Sequence, residues 1–219
     1  MCELSSGAPA GYPDFAPLIL AAGAATRMGE PKEWLRFGEV TCLDRVVGAC
    51  VYAGVKKVIV VTREEREKAV RDHVRARWRG IEIAVVVNHY PERGQSSSLR
   101  TGLASLPSDV RAFLIFPVDH PLVTAADVER VCHAFAAADP AVDLVVPSFS
   151  RRRGHPVVVD RALAPALLAQ PADASARQVL GAPGLRTFYV EFDDDRILTD
   201  MDTPEAYARC LARHLAAAR

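Results

Sequence analysis

The sequence predicts an α/β fold of three layers, a doubly wound, mostly parallel sheet between two layers of helices. Three observations carry this. Apolar runs of strand length alternate with helix-period segments as far as residue 147. Each of these strand runs contains an unbroken apolar stretch, as expected of strands buried on both faces. The chain has 219 residues, 50% of them hydrophobic, which is enough for one full core.

The elements follow in order. Residues 1–14 are rich in Gly, Ser, Pro and Ala and read as a flexible tail. They lack the basic start and long apolar run of a signal peptide. Residues 17–21 form a short apolar strand. In 42–52, Leu43, Val46, Val47, Cys50 and Val51 share one helical face, and Gly54 ends that helix. Residues 55–62 are a β-branched strand. Residues 63–78 read as a highly charged helix with Val70, Val74 and Trp78 on one side. A strand at 81–87, a helix at 96–106 and a strand at 112–118 come next. The helix at 124–138 carries Thr124 and Asp127 at the spacing of an N-terminal cap. A strand at 143–147 completes a βαβαβαβαβ series. The rhythm then changes. A basic turn at 151–154 leads into a strand at 156–160, helical pieces at 162–169 and 174–180, and a strand at 187–192. A closing helix at 203–217 starts at Thr203-Pro204-Glu205, with Pro in its first turn. No repeat or linker interrupts the series. Residues 15–219 are therefore expected to form a single domain, with 148–219 building a substrate lobe on the half formed by 15–147.

Charge excludes several functions. The 27 basic and 27 acidic residues balance, so no basic excess announces nucleic acid or an anionic membrane. The apolar run 18–22 is far too short to span a bilayer. The five cysteines are odd in number and never at C-x-x-C spacing, which reads as buried thiols in a reducing cytoplasm.

The most informative stretch follows the first strand: Leu20-Ala21-Ala22-Gly23-Ala24-Ala25-Thr26-Arg27-Met28-Gly29-Glu30-Pro31-Lys32. Open α/β sheets bind ligands beyond the carboxyl ends of their strands. Small residues let backbone N–H groups approach a triphosphate closely, and Arg27 and Lys32 add cationic donors. Neither G-x-G-x-x-G nor G-x-x-x-x-G-K-[ST] is present, so a dinucleotide-binding dehydrogenase is disfavoured. On the residues alone, a small-residue turn with an incidental Arg and Lys remains open.

The whole spacing closely resembles the signature A-A-G-x-x-x-R-M-G-x-x-K of the MobA/MocA-like nucleotidyltransferases, the family of the molybdenum cofactor guanylyl- and cytidylyltransferases. Four further segments resemble that family in order. They are Gly94-Gln95-Ser96-Ser97-Ser98-Leu99, Pro117-Val118-Asp119-His120-Pro121-Leu122, Arg153-Gly154-His155-Pro156-Val157 and Asp200-Met201-Asp202-Thr203-Pro204-Glu205. The chain departs from the pattern at Ala25, at Glu33 and Trp34, at Val118 and His120, and in the loosely matching stretch 173–177. Ala22, where the guanylyl branch usually has Gly, points to the cytidylyl branch and to CTP.

The resemblance implies a Rossmann-like nucleotidyltransferase fold and transfer of a nucleoside monophosphate from an NTP to a phosphorylated acceptor, molybdopterin or molybdenum cofactor. Pyrophosphate leaves, and a molybdenum hydroxylase receives the product. The acceptor phosphate is already an anion, so catalysis is positioning plus charge neutralisation. The implied catalytic residues are Lys32, Arg27 and Asp119. Leu20, Ala21, Ala22, Gly23, Arg27, Lys32, Ser96, Ser97 and Ser98 would bind the nucleotide, and Gly154, His155 and Pro156 the acceptor. Mg²⁺ would be held by Asp119 with Asp200 or Asp202. Each position has a plainer reading. A strand-end Asp serves turns, Asp202 suits the cap of the last helix, and serines suit helix starts. The run Asp193-Asp194-Asp195 reads as a solvated turn. Other readings are a nucleotidyltransferase for a sugar, polyol or lactate phosphate, and a non-catalytic accessory protein that binds the cofactor.

Overall fold

The computed structural model describes residues 11–24, 28–170 and 175–217. In chain order the elements are β1 (Phe15–Leu20), β2 (Arg36–Phe37), β3 (Val40–Thr41), α1 (Cys42–Tyr52), β4 (Lys57–Thr62), α2 (Glu67–Arg77), β5 (Glu82–Val87), α3 (Gln95–Ala104), β6 (Ala112–Pro117), α4 (Ala125–Ala137), β7 (Leu144–Phe149), β8 (Arg152–Arg153), β9 (Val157–Asp160), α5 (Ala164–Leu168), α6 (Ala176–Leu180), β10 (Thr187–Glu191) and α7 (Pro204–Ala217). The main sheet runs β10-β7-β9-β6-β1-β4-β5, with β8 paired to β7. Strands β6, β1, β4 and β5 are mutually parallel, as are β10 and β7. Strand β9 enters antiparallel between β6 and β7, and the short β8 is also antiparallel to β7.

The apolar strands do bury both faces. Along β1, Phe15 and Ile19 join one core while Leu18 and Leu20 join the other. In β4, Val58 and Val60 face one way, Ile59 and Val61 the other; in β6, Leu114 and Phe116 oppose Phe113 and Ile115. This period of two on doubly covered strands makes three layers. One layer supplies Leu43, Val46 and Val47 of α1, Val70 and Val74 of α2, Val128 and Val131 of α4, and Cys210 of α7. The opposite layer supplies Leu99 and Leu103 of α3 and Leu167 of α5.

Two helices begin with reciprocal capping boxes. Thr41 and Asp44 start α1, and Thr124 and Asp127 start α4, the latter at the expected spacing. Four local features depart from the sequence reading. Tyr12, in the expected tail, is buried in the core and its N–H donates to the Gly54 carbonyl at 3.0 Å. The expected helix 63–78 opens as a 3₁₀ turn over Glu64–Arg66 before α2. The hairpin β2–β3 turns at Gly38, which has φ 64°; two-residue strands are too short to show a period. The basic turn near 151–154 contains β8, reached through Ser150 and Arg151 at φ 51° and 63°. Cys42, Cys50, Cys132 and Cys210 are free and buried, matching the reading of structural thiols. Among the described residues, no helix is long and apolar enough to cross a membrane.

Candidate active site

The backbone ladder continues past the strand ends and holds the loops that follow. Ala21 N–H donates to the Val61 carbonyl at 2.8 Å, Val118 N–H to Leu20 at 3.1 Å, and Asn88 N–H to Thr62 at 2.8 Å. The carboxyl ends of β1, β4, β5 and β6 are thereby level. Lys32, Asp119 and Asp202 meet beside them. Lys32 Nζ donates to Asp119 Oδ2 at 2.8 Å and also to Asp202 Oδ1. These residues lie 87 and 170 positions from Lys32.

Each partner is delivered by its own element. Lys32 opens a 3₁₀ turn over Lys32–Trp34. Asp119 follows β6, in a turn gripped from α1 by Cys42 Sγ on the Val118 carbonyl at 2.9 Å and Arg45 Nε on the Pro121 carbonyl at 2.7 Å. Asp202 is aimed by its neighbour: Met201 is fully buried in the core, so the residues on either side lie at the surface. Helix α7 is moored to the hairpin by Tyr207, whose hydroxyl donates to the Arg36 carbonyl at 2.6 Å. The helix-cap role that Asp202 suited belongs instead to Thr203, whose hydroxyl accepts from Ala206 N–H at 3.2 Å.

The electrostatics are those of a cation shared by too many anions. Burial raises the Asp200 carboxyl, and the nearby charges of Asp202 and Asp119 raise it further. Burial would also raise Asp119, but His120 and Lys32 outweigh it and hold that carboxyl below its usual range. Lys32 lies above the ordinary lysine range: burial lowers it, and Asp119 and Asp202 more than offset this. Among the described residues, no three His, Cys, Asp or Glu side chains converge into a closed metal cage. Asp119 and Asp202, with Asp200 near them, are the carboxylates that could hold a divalent cation, an ion such as Mg²⁺ taking one or two carboxylates and completing its shell with water and phosphate.

Beside Asp119 stand two imidazoles. His120 Nε2 lies 3.8 Å from Asp119 Oδ1, and the His120 and His155 ring centroids are 4.9 Å apart. Burial lowers His120. Burial, then the neighbouring His120, push His155 down to about 4. His155 Nδ1 lies 3.2 Å from the Ile115 carbonyl, which fixes its ring. Of the buried polar atoms that make no hydrogen bond among the described residues, Thr62 Oγ1, Arg63 Nε and His120 Nδ1 follow β4 and β6 at this end of the sheet, and Trp78 Nε1 lies after α2. Such atoms call for a water, an ion or a ligand to satisfy them.

The predicted nucleotide-binding residues divide. Leu20, Ala21 and Ala22 are buried at the end of β1, whereas Gly23 is exposed. Arg27 lies outside the described residues. Ser97 and Ser98 turn inward: Asn88 Nδ2 donates to their hydroxyls at 2.8 and 3.0 Å. Ser96 instead lines a cleft of about 620 Å³ together with Leu20, Arg153, Gly154, His155 and Arg177. Its hydroxyl accepts from Ala176 N–H at 3.3 Å. Gly154 is required by close approach, because a Cβ there would sit 2.3 Å from Ile197 Cδ1 and 2.6 Å from the Ile197 carbonyl oxygen. The His155–Pro156 peptide is cis. Asn88 escaped the sequence reading, although a lone amide directly after a β-branched strand is a signal. Arg177 ends the loosely matching stretch 173–177, and the fold brings that stretch against Ser96 at the start of α3. Asp194 and Asp195 serve a local turn, paired with Arg196 at 2.6 Å and Arg213 at 2.8 Å, as read.

Comparison with known proteins agrees with this geometry. The MobA-like NTP transferase domain family matches residues 17–187. Nicotine blue oxidoreductase of Paenarthrobacter nicotinovorans is 29% identical over 199 residues, covering 89% of this chain and 95% of that protein. The 2-C-methyl-D-erythritol 4-phosphate cytidylyltransferase of Salinibacter ruber is 32% identical over 142 residues, 64% of this chain and 58% of that one. A probable molybdenum cofactor guanylyltransferase of Bacillus mycoides is 24% identical over 138 residues, 63% and 64%. The crystal structure of Rv0371c from Mycobacterium tuberculosis H37Rv shares the fold, with a TM-score of 0.75 at 23% identity, covering 91% of this chain and 98% of that one.

Proposed function

We propose, from the premise that this chain belongs to the MobA-like NTP transferase domain family and is a nucleotidyltransferase, that it transfers CMP from CTP to the phosphate of molybdopterin or molybdenum cofactor. Pyrophosphate leaves, and a molybdenum hydroxylase takes the product. The observation that carries the chemistry is the Lys32 ammonium shared by Asp119 and Asp202 at the carboxyl end of the sheet. An ammonium has three donors, and two are spent on carboxylates. The third is left for an oxygen of the reacting phosphate, where charge builds as pyrophosphate departs. Arg27 supplies a second cation to the β- and γ-phosphates. Asp119, with Asp202 or Asp200, would hold Mg²⁺, which when bound neutralises α- and β-phosphate oxygens.

The cleft beside this site supports an acceptor with a sizeable apolar body. Leu20, Leu99, Ile115, Val146 and Val157 line it, while Arg153 and Arg177 supply positive charge for an anionic group. A small polyol or lactate phosphate would leave that apolar lining in water. Gly154 and His155 border the cleft from the 148–219 lobe.

The choice of CTP rests on Ala22, at the point where the chain leaves the sheet. A methyl there narrows the room for a purine, an effect worth about 1–3 kcal/mol, or 10–200-fold. The test is pyrophosphate release from each of four NTPs with Mg²⁺ and molybdopterin, on wild type and on Ala22→Gly. The expected result is graded preference for CTP over GTP, narrowed in the variant. Wild-type preference for GTP, or a ratio that Ala22→Gly leaves unmoved, would refute the base assignment. The oxidoreductase from P. nicotinovorans sets the contrasting outcome for the reaction itself. Oxidation of NADH or NADPH with a dye acceptor, together with no pyrophosphate from any NTP, would overturn the transferase reading.

A further inference from the structure

Glu33 is a carboxylate with 1% side-chain exposure, in the position directly after Lys32. It pairs with Arg66, on the turn that follows β4, at 2.9 Å. The same guanidinium nitrogen does a second job. Arg66 Nη1 also donates to the Gly23 carbonyl, at 3.2 Å. Nη1 carries two hydrogens, so both bonds can form at once. Gly23 and Glu33 are the two ends of the segment that leaves β1 and returns to Lys32.

We infer that Arg66 is a positioning residue that clips the two stems of this loop together and so sets Lys32 against Asp119 and Asp202. The inference rests on the reading of this loop as the triphosphate site. Arg66 is itself well anchored, since its N–H donates to the Arg63 carbonyl at 3.1 Å within the turn directly after β4. Strand β4 is the parallel neighbour of β1, so the clip is referred to the same sheet edge from which the loop departs. The arrangement is costly for mere stability. Burying an ion pair commonly gives no net gain over apolar residues of similar size. A Met or Leu at residue 33 would have packed without a partner. What the pair adds is geometry: a fork can hold a backbone carbonyl and a carboxylate at a set distance, and apolar contacts cannot. Small displacements of a charge donor matter, because a shift of about 1 Å can cost about 10²-fold in rate.

The test separates positioning from stability. Arg66→Met alone leaves Glu33 buried without its cation and is expected to lower Tm. The double variant Glu33→Met/Arg66→Met removes that penalty while still lacking the bond to Gly23. It is expected to regain a Tm near wild type and yet turn over about 10²-fold more slowly. Its Kd for CTP and for GTP, each with Mg²⁺ by calorimetry, should rise by one common factor of about ten. Hydrogen exchange of residues 28–37 in the free protein should quicken, including the Trp34 and Leu35 amides that close the turn after Lys32. Arg66→Lys, which keeps the charge but lacks the reach and the planar donor geometry of the guanidinium, should fall between. Recovery of turnover along with Tm in the double variant would make the pair structural only and overturn the inference. Unequal loss for the two nucleotides would do so too, by making Arg66 a base contact. If wild type binds neither nucleotide, the transferase reading fails, and the exchange measurement still decides the clip: unchanged protection of 28–37 refutes it.

Discussion

The carboxyl end of the central strands and the helix layer packed under it both use carboxylates, and they use them oppositely. In the helix layer, Asp44 and Asp127 close capping boxes with Thr41 and Thr124, three residues away, and these capping bonds are local. Asp44 is further held by His73 Nε2 at 2.9 Å. At the strand ends, Asp119 and Asp202 come from distant parts of the chain to share one lysine, with Asp200 raised by burial and by their charge. Local satisfaction yields stability. Unbalanced charge at a strand end costs stability and leaves something for a ligand to neutralise. The contrast assigns loss of activity to one region and loss of stability to the other.

That division can be broken at its strongest point first. Asp119→Asn is nearly isosteric and should keep the fold, with pyrophosphate release falling about 10³-fold, the upper scale for a preorganised electrostatic group. Lys32→Ala should lower kcat by about 10²-fold or more, with a modest fall in Tm because Asp119 and Asp202 lose their shared cation. A drop in Tm with kcat intact in either variant would return these residues to a structural role.

Smaller effects sharpen the other side. Gly154→Ala forces a methyl against the Ile197 side chain and carbonyl, and backbone must shift. The expected cost is about 1–3 kcal/mol in denaturant unfolding. Full stability in that variant would show that the turn has room after all. Asp44→Ala should cost about 1–2 kcal/mol while leaving turnover per folded molecule unchanged. Its pH dependence follows from the sign of its shift. Burial would raise Asp44, but the Thr41 amide, then His73 and the Thr41 hydroxyl, outweigh it and hold the carboxyl below its usual range. The stabilisation is therefore full above the unfolded value of about 4 and is lost as pH falls through the lower folded value. The difference in stability between wild type and Asp44→Ala should vanish on acidification through that window. Constant destabilisation down to strongly acid pH would contradict the assignment, and reduced turnover at neutral pH would erase the boundary between the two regions.

What the sequence determined by itself is whatever depends on near neighbours. Burial of Leu18, Ile19 and Leu20 on alternating faces follows from an unbroken apolar strand, and the cap at Thr124 follows from a hydroxyl placed three residues before a free N–H. The loop after β1 and the strand-end Asp119 stand where an open parallel sheet binds ligands, beyond its carboxyl ends, and their proposed roles come from the family resemblance. Tertiary structure decided what depends on residues far apart. Strand β9 reads as an apolar run of the same kind as its neighbours, and nothing in it states that it enters antiparallel between β6 and β7. Ser97 and Ser98 look like a ligand-facing pair until Asn88 arrives from β5 to occupy them. Asp202 looks like a helix cap until Met201 sinks into the core and Lys32 reaches it across the chain. Glu33 looks like a misplaced charge until Arg66 comes beside it. Periodicity and capping are set by fixed spacings along one backbone, whereas the partner of a buried charge is chosen by packing, which no local spacing encodes.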